Sequence, residues 1–119
     1  MKRRTILAAA LAGGLTFTGF TAAALAVDDL RIIAPAATGG GWDQTARAMA
    51  EAMTAGGATG VTVENVPGAG GTVGLAQLVD QEKGKPNVLM VNGLVMVGAI
   101  LTNQSPVNLG MTTPIARLT

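Results

Sequence analysis

Two glycine-rich turns, each set between a strand-like run and a helix-like run, restrict this chain more than any other feature. The first is Thr38-Gly39-Gly40-Gly41-Trp42-Asp43, following Leu30–Ala34. The second is Pro67-Gly68-Ala69-Gly70-Gly71-Thr72, following Val61–Asn65. Glycine turns the backbone through positive φ and carries no Cβ, so a ligand can approach the main-chain amides. A helix that starts at such a turn leaves its first N–H groups unpaired and partly positive. Two such turns on adjacent strands form a cradle suited to a small anion.

The amino-terminal 26 residues belong to a different problem. Lys2, Arg3 and Arg4 are followed by an uncharged apolar run from Ile6 to Phe20, then by Ala24-Leu25-Ala26, a small-x-small cleavage site. This pattern predicts a secretory signal peptide over residues 1–26, cleaved after Ala26, and places the protein in the periplasm. The run is shorter than the ~20 residues a membrane span requires. The Arg3-Arg4 pair leaves both twin-arginine and ordinary Sec export open.

Beyond Ala26 the chain carries five basic against seven acidic residues, a net of −2. That balance argues against nucleic acid or an anionic membrane surface as partner. Any anion would be held by backbone dipoles rather than by a cluster of cations. The sequence contains neither cysteine nor histidine. This excludes a disulfide-stapled mini-domain, the usual zinc sites, and Ser-His or Cys-His catalysis. No catalytic residue, metal site or cofactor is expected, and the chain is read as a non-enzyme. Residues 27–119 suffice for one modest core but not for two domains.

Periodicity predicts alternating strands and helices. Leu30–Ala34 reads as a buried strand ended by Pro35, and Trp42–Ala55 as a helix with Trp42, Ala46, Met49, Ala50 and Met53 on one face. Arg47 and Glu51 form an i,i+4 pair on its wet side, and Gly56-Gly57 stops it. Val61–Asn65 alternates as a half-exposed strand. Thr72–Gln81 is expected to be a helix with Val73, Leu75, Ala76 and Val79 inward. Val88–Val91 reads as a strand, Leu94–Leu101 as a short buried helix, and Pro114–Thr119 as the opening of a further strand. That last strand has no closing element after it, so a truncated chain is expected. The alternation predicts an α/β fold with a parallel sheet covered on both faces. Ligands bind such sheets beyond the carboxyl ends of the strands, where both glycine turns and Asn92-Gly93 would lie.

Three residue groups admit more than one reading. Trp42, the only tryptophan, is either a core anchor or a pocket wall. Asp43 either accepts backbone N–H bonds at the helix start or meets the ligand, and repulsion of an anion favours the first role. The stretch Gly68-x-Gly70-x-x-x-Gly74 has one residue too many for a dinucleotide fingerprint, and the next strand is followed by Asn92 instead of the acid a ribose requires.

The string Ile33–Arg47 closely resembles the first signature of the substrate-binding proteins of tripartite tricarboxylate transporters, the Bug family. Val63–Gly74 is similar to the second signature, and Gly93–Ile100 and Thr113–Leu118 match further stretches in order and spacing. The resemblance spans everything after the signal. It implies a periplasmic-binding-protein-like (type II) lobe built from βαβ units, the incomplete first domain of a two-lobed receptor, over residues 27–119. It further implies a monomeric extracytoplasmic receptor that binds a citrate-like di- or tricarboxylate and delivers it to a membrane permease. Carried onto this chain, the carboxylate-gripping loops are Ala36, Ala37, Thr38, Gly39, Gly40 and Gly41, and Gly68, Ala69, Gly70, Gly71 and Thr72. Trp42, Asp43, Asn92 and Gly93 are ligand-binding or structural. Thr38 stands where the family usually has proline, which trades loop stiffness for a hydroxyl. Family members are also much longer than residues 27–119, so the alternative reading is a truncated fragment of such a receptor that does not bind.

Overall fold

The computed structural model describes residues 28–118; the expected signal peptide and its cleavage site lie outside the described residues. Three strands and three helices alternate: β1 (Arg31–Ala34), α1 (Gly41–Ala55), β2 (Thr62–Asn65), α2 (Thr72–Gln81), β3 (Val88–Met90) and α3 (Leu94–Thr102). Single 3-10 turns occupy Ala69–Gly71 and Leu109–Met111. The strands form one parallel sheet in the order β2-β1-β3, with Ile32 registered between Val63 and Leu89. The expected mixed α/β class with a parallel sheet is thus present.

β1 is the central strand, and Ile32, Ile33 and Ala34 are completely buried. Alternation sends neighbouring side chains to opposite faces. Ile32, Ala34 and Val91 pack with Ala46 of α1 in one apolar cluster, joined by Met49, Ala50, Met53, Val61 and Val63. Met90 joins a second cluster made by Leu75 of α2, Met96 of α3 and Val107. α1 therefore covers one face, while α2 and α3 cover the other. Only Trp42 belongs to both clusters.

The helix ends follow their sequence signals. Gly57, at φ 97°, lets α1 close with Gly57 N–H to Thr54 O and Ala58 N–H to Met53 O, both 3.0 Å. These are the paired bonds of a Schellman ending. On the α2 side of the sheet, Arg31 bridges Glu64 of β2 and the buried Glu82 just after α2, at 2.5 and 2.6 Å. Glu82 also holds Lys85 at 2.7 Å, and Gln77 donates to Glu64. Hydrogen bonds from Lys85 and Arg31 hold the Glu82 carboxyl below its usual range, and bonds from Gln77 and Arg31 do the same for Glu64. The cluster ties the amino end of the central strand to the end of α2.

Four expectations need correction. Val73 is half-exposed rather than inward, because it leans out over Gly68 while Leu75 takes the enclosed place in α2. α3 is not a buried helix: Met96 is enclosed, but Leu94, Val95 and Leu101 are 85, 68 and 75% exposed. Hydropathy averaged over α3 cannot distinguish an enclosed helix from one that is apolar all round but packed on one side. Residues 114–118 form no strand, since no element of the described sheet pairs with them; Thr119, the end of that expected strand, lies outside the described residues. Arg47 turns back to Asp43 and Asn65 rather than forward to Glu51.

Candidate functional site

The strand order defines where a site can form. The connection after β1 leads to α1 on one face, and the connection after β3 leads to α3 on the other. Between the carboxyl ends of these adjacent strands the chain parts, leaving the crevice at which open parallel sheets take their ligands. An open cavity of about 290 Å³ occurs here, lined by Ala36, Gly41 and Trp42 from the β1 side and Val95 from the β3 side. No helix start at this edge is closed by a side chain: α1, α2 and α3 have Gly40, Gly71 and Gly93 as caps, each without a side-chain hydrogen bond.

The first glycine loop is held from below by a polar network. The Asp43 carboxylate accepts from the Gly39 amide at 2.7 Å and from the Asn65 side chain at 2.9 Å. Arg47 Nε lies 3.0 Å from the same carboxylate. Asn65, at the end of β2, also donates to the Ala36 carbonyl at 3.1 Å and accepts from Arg47 at 3.3 Å and from the Thr38 hydroxyl at 3.4 Å. Asp43 is only 2% exposed. Its carboxylate holds the loop through the Gly39 amide, and Asp43 is not among the residues that line the cavity. Thr38 tethers the loop to Asn65 through its hydroxyl. Nothing lies within 4 Å of a Cβ placed on Gly39 or Gly41, so their backbone is open to an approaching group.

The second glycine loop is built for packing. A Cβ on Gly71 would stand 2.7 Å from Met96 Cε and 2.8 Å from Trp42; one on Gly70 would stand 2.5 Å from Ala99 Cβ. The Asn103 side chain donates to the Ala69 carbonyl at 3.1 Å, and the buried Thr72 hydroxyl donates to the same oxygen at 3.0 Å. Gly68, at φ 136°, is covered by Val73. Trp42 joins the two loops by lying against Gly71 with one edge and against Gly93 with its ring nitrogen, 3.2 Å from where a Cβ of Gly93 would be. It is an anchor that also forms a wall of the cavity. Asn92 is exposed beside it.

The structure therefore brings Ala36, Gly41 and Trp42 to one crevice, with Gly93 against the Trp42 ring and with Val95, which the sequence does not single out. The supporting Asn65 was also not selected. Its only signal was its place as the polar residue ending β2, directly before the second glycine turn. Among the described residues no group of three acidic, histidine or cysteine side chains could hold a metal ion, and no helix is long and apolar enough to cross a membrane.

The network has a pH signature. Arg47, then the Gly39 amide, then Asn65 hold the Asp43 carboxyl down from 3.8 to about 2. A carboxyl depressed by folding stabilises the native state fully above its unfolded pKa and loses that contribution as pH falls through its folded one. The urea midpoint is accordingly expected to fall between pH 4 and 2, and to fall less steeply in Asp43→Asn, with Glu64 and Glu82 supplying the remaining slope.

Comparison with protein-family models, curated proteins and solved structures finds no match to this chain.

Proposed function

We propose that this chain is a binding protein for a small carboxylate, an extracytoplasmic receptor of the tripartite tricarboxylate transporter type, with citrate-like di- and tricarboxylates as ligand class and a membrane permease as recipient. The observation that carries the reading is the crevice between β1 and β3, rimmed by the uncapped starts of α1 and α3 and lined by the open backbone of Gly41. Unpaired helix N–H groups attract negative charge without needing a cation. The four sequence stretches that resemble this transporter family include the loops in question. The periplasmic-binding-protein-like lobe is the finer form of the α/β fold that the reading entails.

The reading is tested by thermal shift and calorimetry with citrate and shorter dicarboxylates, each paired with its neutral amide. The carboxylates are expected to raise the melting temperature and the amides to leave it unchanged. Gly41→Glu places a carboxylate in open space at the first turn of α1, where it suits the helix dipole but occupies the ligand's position. It should keep or raise the melting temperature while weakening carboxylate binding by about tenfold or more. Equal binding by amide and acid would overturn the reading.

A further inference from the structure

Asn92-Gly93 is the only Asn-Gly pair in the sequence, and the fold leaves it chemically unguarded. The side chains of Asn65, Asn87, Asn103 and Asn108 all make hydrogen bonds. Asn92 is exposed and its side-chain amide makes none among the described residues. It lies between β3 and α3, in neither element. The backbone N–H of Gly93 donates to no group among the described residues, while the Gly93 carbonyl accepts the first bond of α3 from Met96. Gly93 is extended, at φ −169°, and has no Cβ to obstruct its own nitrogen.

We propose that Asn92 is a site of spontaneous deamidation in the folded protein, and that the product writes a negative charge at the start of α3. The Gly93 nitrogen attacks the side-chain amide carbon of Asn92. A C–N bond forms, the nitrogen gives up its proton, the bond to the side-chain NH2 breaks, and ammonia departs. Water then opens the five-membered imide at either carbonyl, leaving aspartate or isoaspartate. Three features of the fold permit this sequence: a side chain free to swing, a backbone nitrogen with no bond to break, and a glycine that adds no side chain of its own to the path of attack. The Asn92 side chain is exposed, and neither Asn92 nor Gly93 lies in a strand, so no ladder hydrogen bond holds either residue among the described residues.

The location gives the modification a consequence. The new carboxylate precedes the cap of α3, a helix start without a side-chain cap. It neutralises part of the positive field there. Given the carboxylate-binding reading above, on which this clause rests, it would also repel an anionic ligand from the rim of the crevice.

The test is peptide mapping of the intact native protein held in mildly alkaline buffer, alongside the urea-unfolded chain and the Asn92→Gln variant. The expected result is conversion at Asn92 severalfold faster than at Asn65, Asn87, Asn103 or Asn108, at a rate comparable in native and unfolded chains. Isoaspartate should appear as the major product, and Asn92→Gln should abolish its accumulation. A native rate far below the unfolded one would overturn the proposal, as would conversion spread evenly over the asparagines. Asn92→Asp separates the two readings. If unmodified protein binds citrate and Asn92→Asp binds it more weakly, the consequence holds. If unmodified protein binds no carboxylate, the functional reading fails while the mapping result stands by itself. If Asn92→Asp binds as well as the parent, the crevice consequence is wrong.

Discussion

Gly71→Ala is expected to destabilise the protein by about 3 kcal/mol, combining left-handed backbone strain with overpacking. Gly71 sits at φ 94° as the cap of α2, and its missing Cβ is replaced by Met96 Cε and the Trp42 ring, both closer than 3 Å to the position a methyl would take. Neither neighbour can withdraw freely. Met96 is fully enclosed, and Trp42 is the one residue shared by the apolar clusters on the two faces of the sheet. Gly39→Ala is the matched control. Its φ of 85° imposes comparable backbone strain, but nothing lies within 4 Å of the added methyl. It should lose about 1 kcal/mol, the strain alone. Denaturant unfolding of the two variants separates the packed loop from the open one. Equal losses would mean that the second loop is not closed by Trp42.

Asp43→Ala should lower the melting temperature by roughly 10 °C, because three polar groups lose their shared, buried acceptor together. The Gly39 amide, the Asn65 side chain and Arg47 all converge on this carboxylate. Without it the first loop loses its floor, and Asn65 is left donating only to Ala36. Asp43→Asn should fall between the parent and Asp43→Ala, since an amide can accept one of these bonds but cannot pair with Arg47. A loss confined to a degree or two would show that the loop is held by its own turn geometry. Amide exchange at Gly39 reads the same event locally, with protection expected to drop in both variants.

Much of this arrangement is legible in the sequence. The five apolar positions of α1 recur at helical spacing, and Gly56-Gly57 marks its end; both are local signals, and α1 forms where they place it. The alternation of strand and helix was enough for a parallel sheet, and the backbone N–H that Asp43 accepts is the kind of bond its place at the helix start suggests. What remained hidden depends on contacts distant in sequence. Gly70 and Gly71 look like Gly39 and Gly41 in a string of letters, yet the first pair is filled by Ala99, Met96 and Trp42 and the second is bare. Val95 became a cavity wall only because β3 lies beside β1. Asn65 supports a loop nearly thirty residues earlier because parallel register brings the end of β2 beside it. α3 misled because hydropathy reports composition rather than which side is covered.

The central claim is that a carboxylate enters the crevice between β1 and β3. Amide-resolved NMR titration of the protein with citrate tests it most directly. The predicted result is saturable shifts confined to Gly39–Trp42, the Trp42 indole N–H and Gly93–Val95, with Lys83–Lys85 at the opposite end of the sheet unmoved. Shifts centred on Lys83–Lys85, or no saturable shift at any amide, would contradict it.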